Sequence, residues 1–584
     1  MTIQAVYNIA EICARHGITD VVLSPGSRSA PLTLAFARHP ALTVRVVPDE
    51  RAAAFIGLGI AQAQRRAVAL VCTSGTAGLN YAPAVAEAFF QQIPLLIFTA
   101  DRPPEWIDQL DGQTIRQHNL YGAHAKGAFE FPVETSHPDA KWHSARIINE
   151  AINLAQAAPA GPVQVNVPLR EPFYPKAGEE IRYEQDVKII RETPAIFLIS
   201  ETEIAELRQH IQQAKQVLVV SGQHQEDAQL NAALENFQSV FGATVAGDSI
   251  ANIRSHSDSI ITNQDIFLTG FSQEQKSFLK PDLLITFGQS LISKSLKLFL
   301  RDSAPAQHWH IQANGSAADT FRSLSRLIRT EPTDFFQTLT SAIARGSSAA
   351  MAKSGFNLAW TSAQQRAGTA LQDFFSSQGD RHQGFQTVFN EFSAFADTLA
   401  SVPANTALHL ANSMAVRYAN ILGIPQGRQI EVFANRGTSG IDGCTSTAVG
   451  AALAQPDRPV VLLTGDVAFF YDRNAFWHNY PLPNLRVVLF NNHGGGIFRM
   501  IDGPRQQPEL EEFFETRQAL TAENTARDFN LRYFPVSSFT ELEAALPVFF
   551  AAETGAALLE VFTDSKTNAA FFEEYRSAVK QAFS

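Results

Sequence analysis

Short runs of Val, Leu and Ile, three to six residues long, alternate along the chain with longer stretches whose apolar positions recur at helical spacing. In the first third they fall at residues 21–23, 44–47, 68–72, 95–99 and 163–167, each bordered by Gly, Pro or Asp. A second group falls at 217–220, 243–246, 283–287 and 308–311, and a third at 407–410, 430–433, 460–463, 487–490 and 557–562. Such a run, followed by an amphipathic stretch, reads as a strand buried on both faces and joined to the next by a crossover helix. The pattern predicts an α/β chain of three doubly wound parallel-sheet domains, over residues 1–185, 190–345 and 355–584. Pro and charged residues near 161–180 read as the first linker, and the low-complexity stretch 344–354 as a linker or exposed helix.

Composition narrows the function classes. A chain of 584 residues exceeds one core, and its 45% hydrophobic and 18% charged content is that of a globular protein. Lys and Arg are scattered through a net charge of −11, which leaves no basic stripe for nucleic acid. No apolar run reaches the ~18 residues of a membrane span. The N-terminal stretch carries Glu11 where a signal peptide would be apolar. Cys13, Cys72 and Cys444 lie far apart and read as reduced thiols, so a soluble, cytoplasmic protein is expected.

The third block carries the sharpest chemistry. One strand ends at Gly465–Asp466 and another at Asn491–Asn492, with a crossover helix expected around 474–479. Parallel strands joined this way bring both polar tips to one sheet edge, where α/β folds bind ligands. A carboxylate, an amide oxygen and the Gly494 carbonyl would form an all-oxygen half-shell. Magnesium suits it, since phosphate oxygens and water usually complete that ion. A helix starting after Gly465 would offer its N–H groups to the same phosphates.

This pair resembles the diphosphate-binding motif of the thiamine-diphosphate enzymes, with Val467 where the family usually has a small residue. The resemblance implies thiamine diphosphate as cofactor and Asp466, Asn492 and Gly494 as ligands of Mg²⁺ or Mn²⁺. Glu50 opens a helical pattern after PD, a position that helix-end charges favour on their own. By the resemblance it is the glutamate that hydrogen-bonds the aminopyrimidine ring and promotes deprotonation of the thiazolium carbon. Gly75 matches a turn beside the cofactor, and Ile441 the apolar wedge that keeps it bent. Active sites shared between two subunits, hence a homodimer or homotetramer, are implied as well.

Longer stretches, SPGSRSAPL, ADRPPE, GQTIRQ, SLISK, ANSMAVR and NRGTSGIDG, resemble those of the 2-succinyl-5-enolpyruvyl-6-hydroxy-3-cyclohexene-1-carboxylate synthases of menaquinone biosynthesis. The resemblance implies a transferase that decarboxylates 2-oxoglutarate and adds the succinyl-semialdehyde carbanion to isochorismate. Both substrates are dianions, so a chain of net charge −11 must gather cations locally, and arginine forks suit carboxylates. Carried over by position, Ser27, Arg28, Arg102, Lys294, Ser413 and Arg436 contact substrate. Gln113 and Arg417 join Glu50 as catalytic residues, and Ile497 and Phe498 form an apolar wall. Taken singly, each basic residue would pass for a solvated charge.

Acetolactate synthases and simple 2-oxo acid decarboxylases are the nearest alternatives, but their substrates carry fewer charges than five cations would neutralise. A degenerate binding protein would not need Glu50, Asp466 and Asn492 together. Gly494–Gly496 lacks the spacing of a dinucleotide site, and residues 194–344 hold no GxGxxG, so no flavin is expected.

Overall fold

The computed structural model describes every residue except 1–2, 172, 176–179, 194, 196, 255–258, 342–354 and 379–387. The expected low-complexity segment at 344–354 therefore lies outside the described residues.

The apolar runs form three six-stranded sheets in which every pairing is parallel. The first contains β1 (Asp20–Leu23), β2 (Thr43–Val46), β3 (Val68–Cys72), β4 (Leu95–Asp101), β5 (Gly127–Glu130) and β6 (Val163–Pro168). The second contains β7 (Val217–Ser221), β8 (Thr244–Gly247), β9 (Ile260–Ile261), β10 (Leu283–Phe287), β11 (Gln307–Ile311) and β12 (Arg326–Ile328). The third contains β13 (Ala407–Leu410), β14 (Glu431–Phe433), β15 (Val460–Gly465), β16 (Leu485–Asn491), β17 (Arg532–Val536) and β18 (Ala557–Phe562). The first runs β2-β1-β3-β4-β6-β5 and the third β14-β13-β15-β16-β18-β17, the same path through the sheet. The second runs β12-β11-β10-β7-β8-β9, the order of a dinucleotide-type sheet.

Central strands such as β3, β4 and β16 are buried along their whole length, as strands covered by helices on both faces must be. Four strands that the apolar runs do not announce, β5, β9, β12 and β17, are all edge strands. With one neighbour instead of two, their side chains can stay partly exposed and polar, as in β5 and β17.

The crossover after β15 also differs from the expectation at 474–479. A helix begins at once (Asp466–Tyr471) and only a 3-10 turn, Arg473–Phe476, follows. Asp472 is turned inward to accept from the N–H and hydroxyl of Ser446, both at 2.7 Å. Pro481 and Pro483 then prevent a longer helix.

Two helices tie the first sheet to the third. Glu50–Gln64 and Cys444–Ala454 cross with no side chain between their backbones: a Cβ on Gly59 would stand 2.0 Å from the Thr447 carbonyl oxygen, and one on Gly450 2.1 Å from that of Ile56. Only glycine fits at either crossing. The helix Gly355–Ser377 joins the second sheet to the third, with Trp360 edge-on to Phe267 (5.6 Å) and Phe374 against Tyr575 (5.5 Å).

Candidate active site

Every residue expected at the site lies beyond the carboxyl end of a strand. Ser27 and Arg28 follow β1, Glu50 follows β2, Gly75 follows β3, and Arg102 and Gln113 follow β4. Lys294 follows β10. Ser413 and Arg417 follow β13, Arg436 and Ile441 follow β14, Asp466 follows β15, and Asn492, Gly494, Ile497 and Phe498 follow β16. In the third sheet these loops surround the point where the strand order reverses, between β13 and β15.

Asp466 is 2% exposed and is the first residue of its helix. Its carboxylate accepts from the Val467 N–H and from Gln518 Nε2, both at 2.8 Å. Burial lifts its pKa to about 6 against the opposing pull of Gln518, Val467 and the Gly494 N–H. Asn491 and Asn492 take different roles. Asn491 is spent on structure, donating to Glu560 (2.7 Å) and the Leu520 carbonyl (3.0 Å). Asn492 donates its amide to Glu391 (2.7 Å), while its Oδ1 is buried with no partner. A buried acceptor left bare is costly unless something absent from the chain satisfies it. Next to a carboxylate and the Gly494 turn, such an oxygen fits a hard divalent cation. The residues present therefore suit the metal half of the expected cofactor. Among the described residues, no cluster of three His, Cys, Asp or Glu offers an alternative metal site.

The turn itself is firmly held. His493 adopts φ +64°, and the Gly495 N–H donates to the Glu515 carbonyl at 2.7 Å. Arg499 grips the buried Glu515 carboxylate with two bonds of 2.6 and 2.7 Å, which fixes the helix Ile497–Met500. Phe498 meets Phe514 at 5.8 Å, and Ile497 leans on the core beneath. Ile441 packs on Ala411, Cys444 and Ala468, the last two residues from Asp466.

Arg436 donates to Asn412 Oδ1 (2.8 Å), whose amide in turn holds the carbonyls of Asn435 (2.7 Å) and Gly440 (2.6 Å). Arg417 donates to the carbonyl of Ser413, a residue held at φ +76°. Removal from water lowers the pKa of both guanidiniums, and Arg417 is lowered further by the Arg436 charge. Arg417 still presents its surface to solvent, so it stands at the mouth of the site. Lys294 begins the helix Lys294–Ser303 and is exposed, whereas Lys297, one turn on, is half-buried and feels Arg436. Sequence reasoning passed over Lys297, which looks like any amphipathic-helix lysine.

On the first sheet, Asp49 caps the helix that Glu50 begins, accepting from the N–H groups of Arg51 (2.9 Å) and Ala52 (3.3 Å). Glu50 is half-buried, and its charge reaches Cys72 and Tyr81, raising the pKa of each beyond what burial does. Gly75 donates to Gln117 (2.8 Å), and exposed Gln113, at φ +55°, folds back over it. Arg28 lies over the Phe173 ring at 4.5 Å, and its pKa is lowered by burial and then by Arg102. Arg102 is held by Asp111 (2.5 Å) and Ser74 (3.3 Å). Ser27 is exposed beside them.

One chain thus shows two groups: Glu50, Arg28, Arg102 and Gln113 on the first sheet; the metal-type cluster with Arg417 and Arg436 on the third. Glu87 supports the second group from the first sheet's side. Only 1% exposed, it accepts from the Gly437 and Thr438 N–H groups (2.7 Å each), the Thr438 hydroxyl (2.5 Å) and Gln91 (2.5 Å). In sequence it is one acid within an Ala-rich helix, with no signal to mark it.

Comparison with known proteins agrees across the whole length. Residues 4–122 match the thiamine pyrophosphate enzyme N-terminal TPP binding domain, 190–408 the middle domain of thiamine pyrophosphate enzymes, and 417–561 the C-terminal TPP binding domain. A 2-succinyl-5-enolpyruvyl-6-hydroxy-3-cyclohexene-1-carboxylate synthase from Cytophaga hutchinsonii is 44% identical, over 99% of this chain and 100% of its own. Proteins of the same name from Flavobacterium johnsoniae and Porphyromonas gingivalis are each 38% identical, over 97% of this chain and 97% and 96% of theirs. Benzoylformate decarboxylase from Polynucleobacter necessarius shares the fold at TM-score 0.72 and 17% identity, covering 96% of this chain and 98% of that one.

Proposed function

The chain belongs to the thiamine pyrophosphate enzymes and, among them, to the 2-succinyl-5-enolpyruvyl-6-hydroxy-3-cyclohexene-1-carboxylate synthases; from that membership we propose that it couples 2-oxoglutarate to isochorismate with loss of carbon dioxide, in menaquinone biosynthesis. The observation that carries this reading is the bare, buried Asn492 Oδ1 beside Asp466, at a sheet edge whose rim bears Arg417 and Arg436. Asp466, Asn492 and the Gly494 carbonyl would hold Mg²⁺ or Mn²⁺, and through it the diphosphate. When bound, the cofactor would supply a nucleophilic carbon and a cationic thiazolium ring able to take up the electron pair that carbon dioxide leaves behind.

The protein's own residues do the rest. Glu50, half-buried at a helix start, exchanges a proton with the pyrimidine ring. Arg417 and Arg436 are already partly stripped of water, so carboxylates entering their mouth gain strong charge-assisted bonds. Arg28, Arg102 and Gln113 bring a second set of donors, and two substrates with two carboxylates each match two such sets. Ile497 and Phe498 would wall off water, which would otherwise protonate the donor's nucleophilic carbon before carboligation. The two sets come from different domains, and we place them in one site by pairing two copies of the chain, as a homodimer or a higher even assembly.

The deciding assay supplies 2-oxoglutarate and isochorismate and follows carbon dioxide together with the carboligation product. Pyruvate serves as the competing donor. Turnover of pyruvate alone, with isochorismate untouched, would assign the chain to acetolactate-type chemistry instead.

A further inference from the structure

Metal ligation by an asparagine poses a problem that ligation by a carboxylate does not. The side-chain amide has two ends of nearly equal size, and only one can face a cation. If Asn492 turned over, its NH₂ group would point at the metal and the site would be lost.

The buried Glu391 removes that ambiguity. It is 5% exposed and opens the helix Glu391–Ser401. Its own orientation is set by Asn568, whose Oδ1 accepts from the Glu391 N–H at 2.9 Å. The Asn568 amide is therefore turned the other way and donates to Glu391 Oε2 (3.1 Å) and to Thr563 Oγ1 (2.9 Å). The same Oε2 takes the Asn492 Nδ2 at 2.7 Å. Because Oε2 already accepts from the Asn568 amide, it draws the NH₂ end of Asn492 toward itself and drives Oδ1 to the opposite side. That oxygen is the one left buried and unpartnered, just past the end of β16, the strand that pairs with the one ending at Asp466. Gly496 leaves room for the amide in this orientation, since a Cβ there would stand 2.9 Å from Asn492 Nδ2.

We propose that Glu391 is a positioning residue that selects the metal-facing orientation of the Asn492 amide through the Asn568–Glu391–Asn492 chain. The inference rests on the reading of Asn492 as a metal ligand. Outer partners of this kind set metal affinity, and their loss weakens it about 10- to 100-fold.

The test uses the full chain, freed of metal with a chelator and held at fixed thiamine diphosphate while MgCl₂ is titrated. The half-saturating Mg²⁺ concentration is read from the rise in melting temperature. Glu391→Gln can offer either an oxygen or an NH₂ group to Asn492, and it should raise that concentration about 10-fold or more. Asn492→Asp adds a charge that would tighten the metal on its own, yet here it sets two carboxylates face to face, and half-saturation should rise. The double variant Glu391→Gln with Asn492→Asp reverses donor and acceptor, and should bind Mg²⁺ more tightly than either single variant. A role confined to holding the fold would not produce that rescue.

Wild-type half-saturation in Glu391→Gln, or a double variant no better than both singles, would overturn the proposal. Should Glu391→Gln fail to fold, Asn492→Asp decides it alone, and tighter Mg²⁺ binding than wild type would overturn it. A wild-type protein with no Mg²⁺ response, matching Asp466→Ala, would instead refute the metal site itself and this inference with it.

Discussion

Replacing Glu87 by Gln tests whether the arginine-bearing loop after β14 is held from the first sheet. The wild-type carboxylate accepts four bonds through two oxygens: Gly437 N–H and Gln91 on one, Thr438 N–H and hydroxyl on the other. Gln keeps the shape but only one oxygen. Whichever way it turns, its NH₂ group faces a backbone N–H, and that donor is stranded in a place 1% exposed. A stranded buried donor costs about 1–3 kcal/mol, and the charge-assisted character of the surviving bonds is also lost, so about 3 kcal/mol is expected in all. At ~1.4 kcal/mol per decade this corresponds to a ~100-fold loss of amide protection across residues 436–441, measured by hydrogen exchange. Because Arg436 rides on this loop, KM for the carboxylate substrates should rise more than kcat falls. Protection and KM both within about twofold of wild type, well short of the expected ~100-fold, would refute the assignment of Glu87 as the anchor.

Glu50→Gln should abolish decarboxylation while leaving the melting temperature near wild type; normal turnover would remove Glu50 from the chemistry. Thiamine diphosphate with Mg²⁺ at about 100 times its dissociation constant should stabilise the fold by ~2.7 kcal/mol, and a chelator should reverse the gain, both visible as a shift in melting temperature. Arg417→Ala and Arg436→Ala should each raise KM for the dicarboxylates by about 10- to 100-fold, the loss of one charge-assisted pair, with cofactor binding unchanged; equal loss of both would count against these roles. His409, buried and stacked on Phe433 at 5.0 Å, has its pKa lowered by burial to about 3. The unfolded chain takes up that proton below about pH 6.5 and the folded one does not, so this group's stability is complete above pH ~6.5 and declines as pH falls toward 3. His409→Leu should therefore lose less stability than wild type between pH 7 and 5, by about 2 kcal/mol in denaturant titrations, and parallel pH curves would contradict the shift.

The fold was largely readable because parallel central strands are apolar on both faces, as β3 and β16 are. β5 and β17 escaped because edge strands can stay partly exposed and polar, and β9 and β12 because they are only two and three residues long. The placement of Asp466 and Asn492 was legible for a similar reason: each directly follows a strand that its apolar run announces. Glu87, Glu391 and Gln518 were not legible. Each acts on a loop between 52 and 351 residues away along the chain, and no local pattern records such a partnership. Lys297 was missed because its signal, one cation on an amphipathic helix, is shared by every solvated lysine. Asn491 and Asn492 look equivalent in sequence, and only the position of Glu560 and Glu391 tells the strut from the proposed ligand.

The first and third sheets follow the same strand order, and the helices that cross at Gly59 and Gly450 occupy the same place in each, after the second strand. The first and third domains are thus a quasi-symmetric pair, docked through their equivalent helices. The two differ in what they carry at their strand ends: the first has Glu50 at its helix start, and the third has Asp466 and Asn492. A substitution at either glycine would be felt by both domains at once, because the side chain added on one helix would meet the backbone of the other.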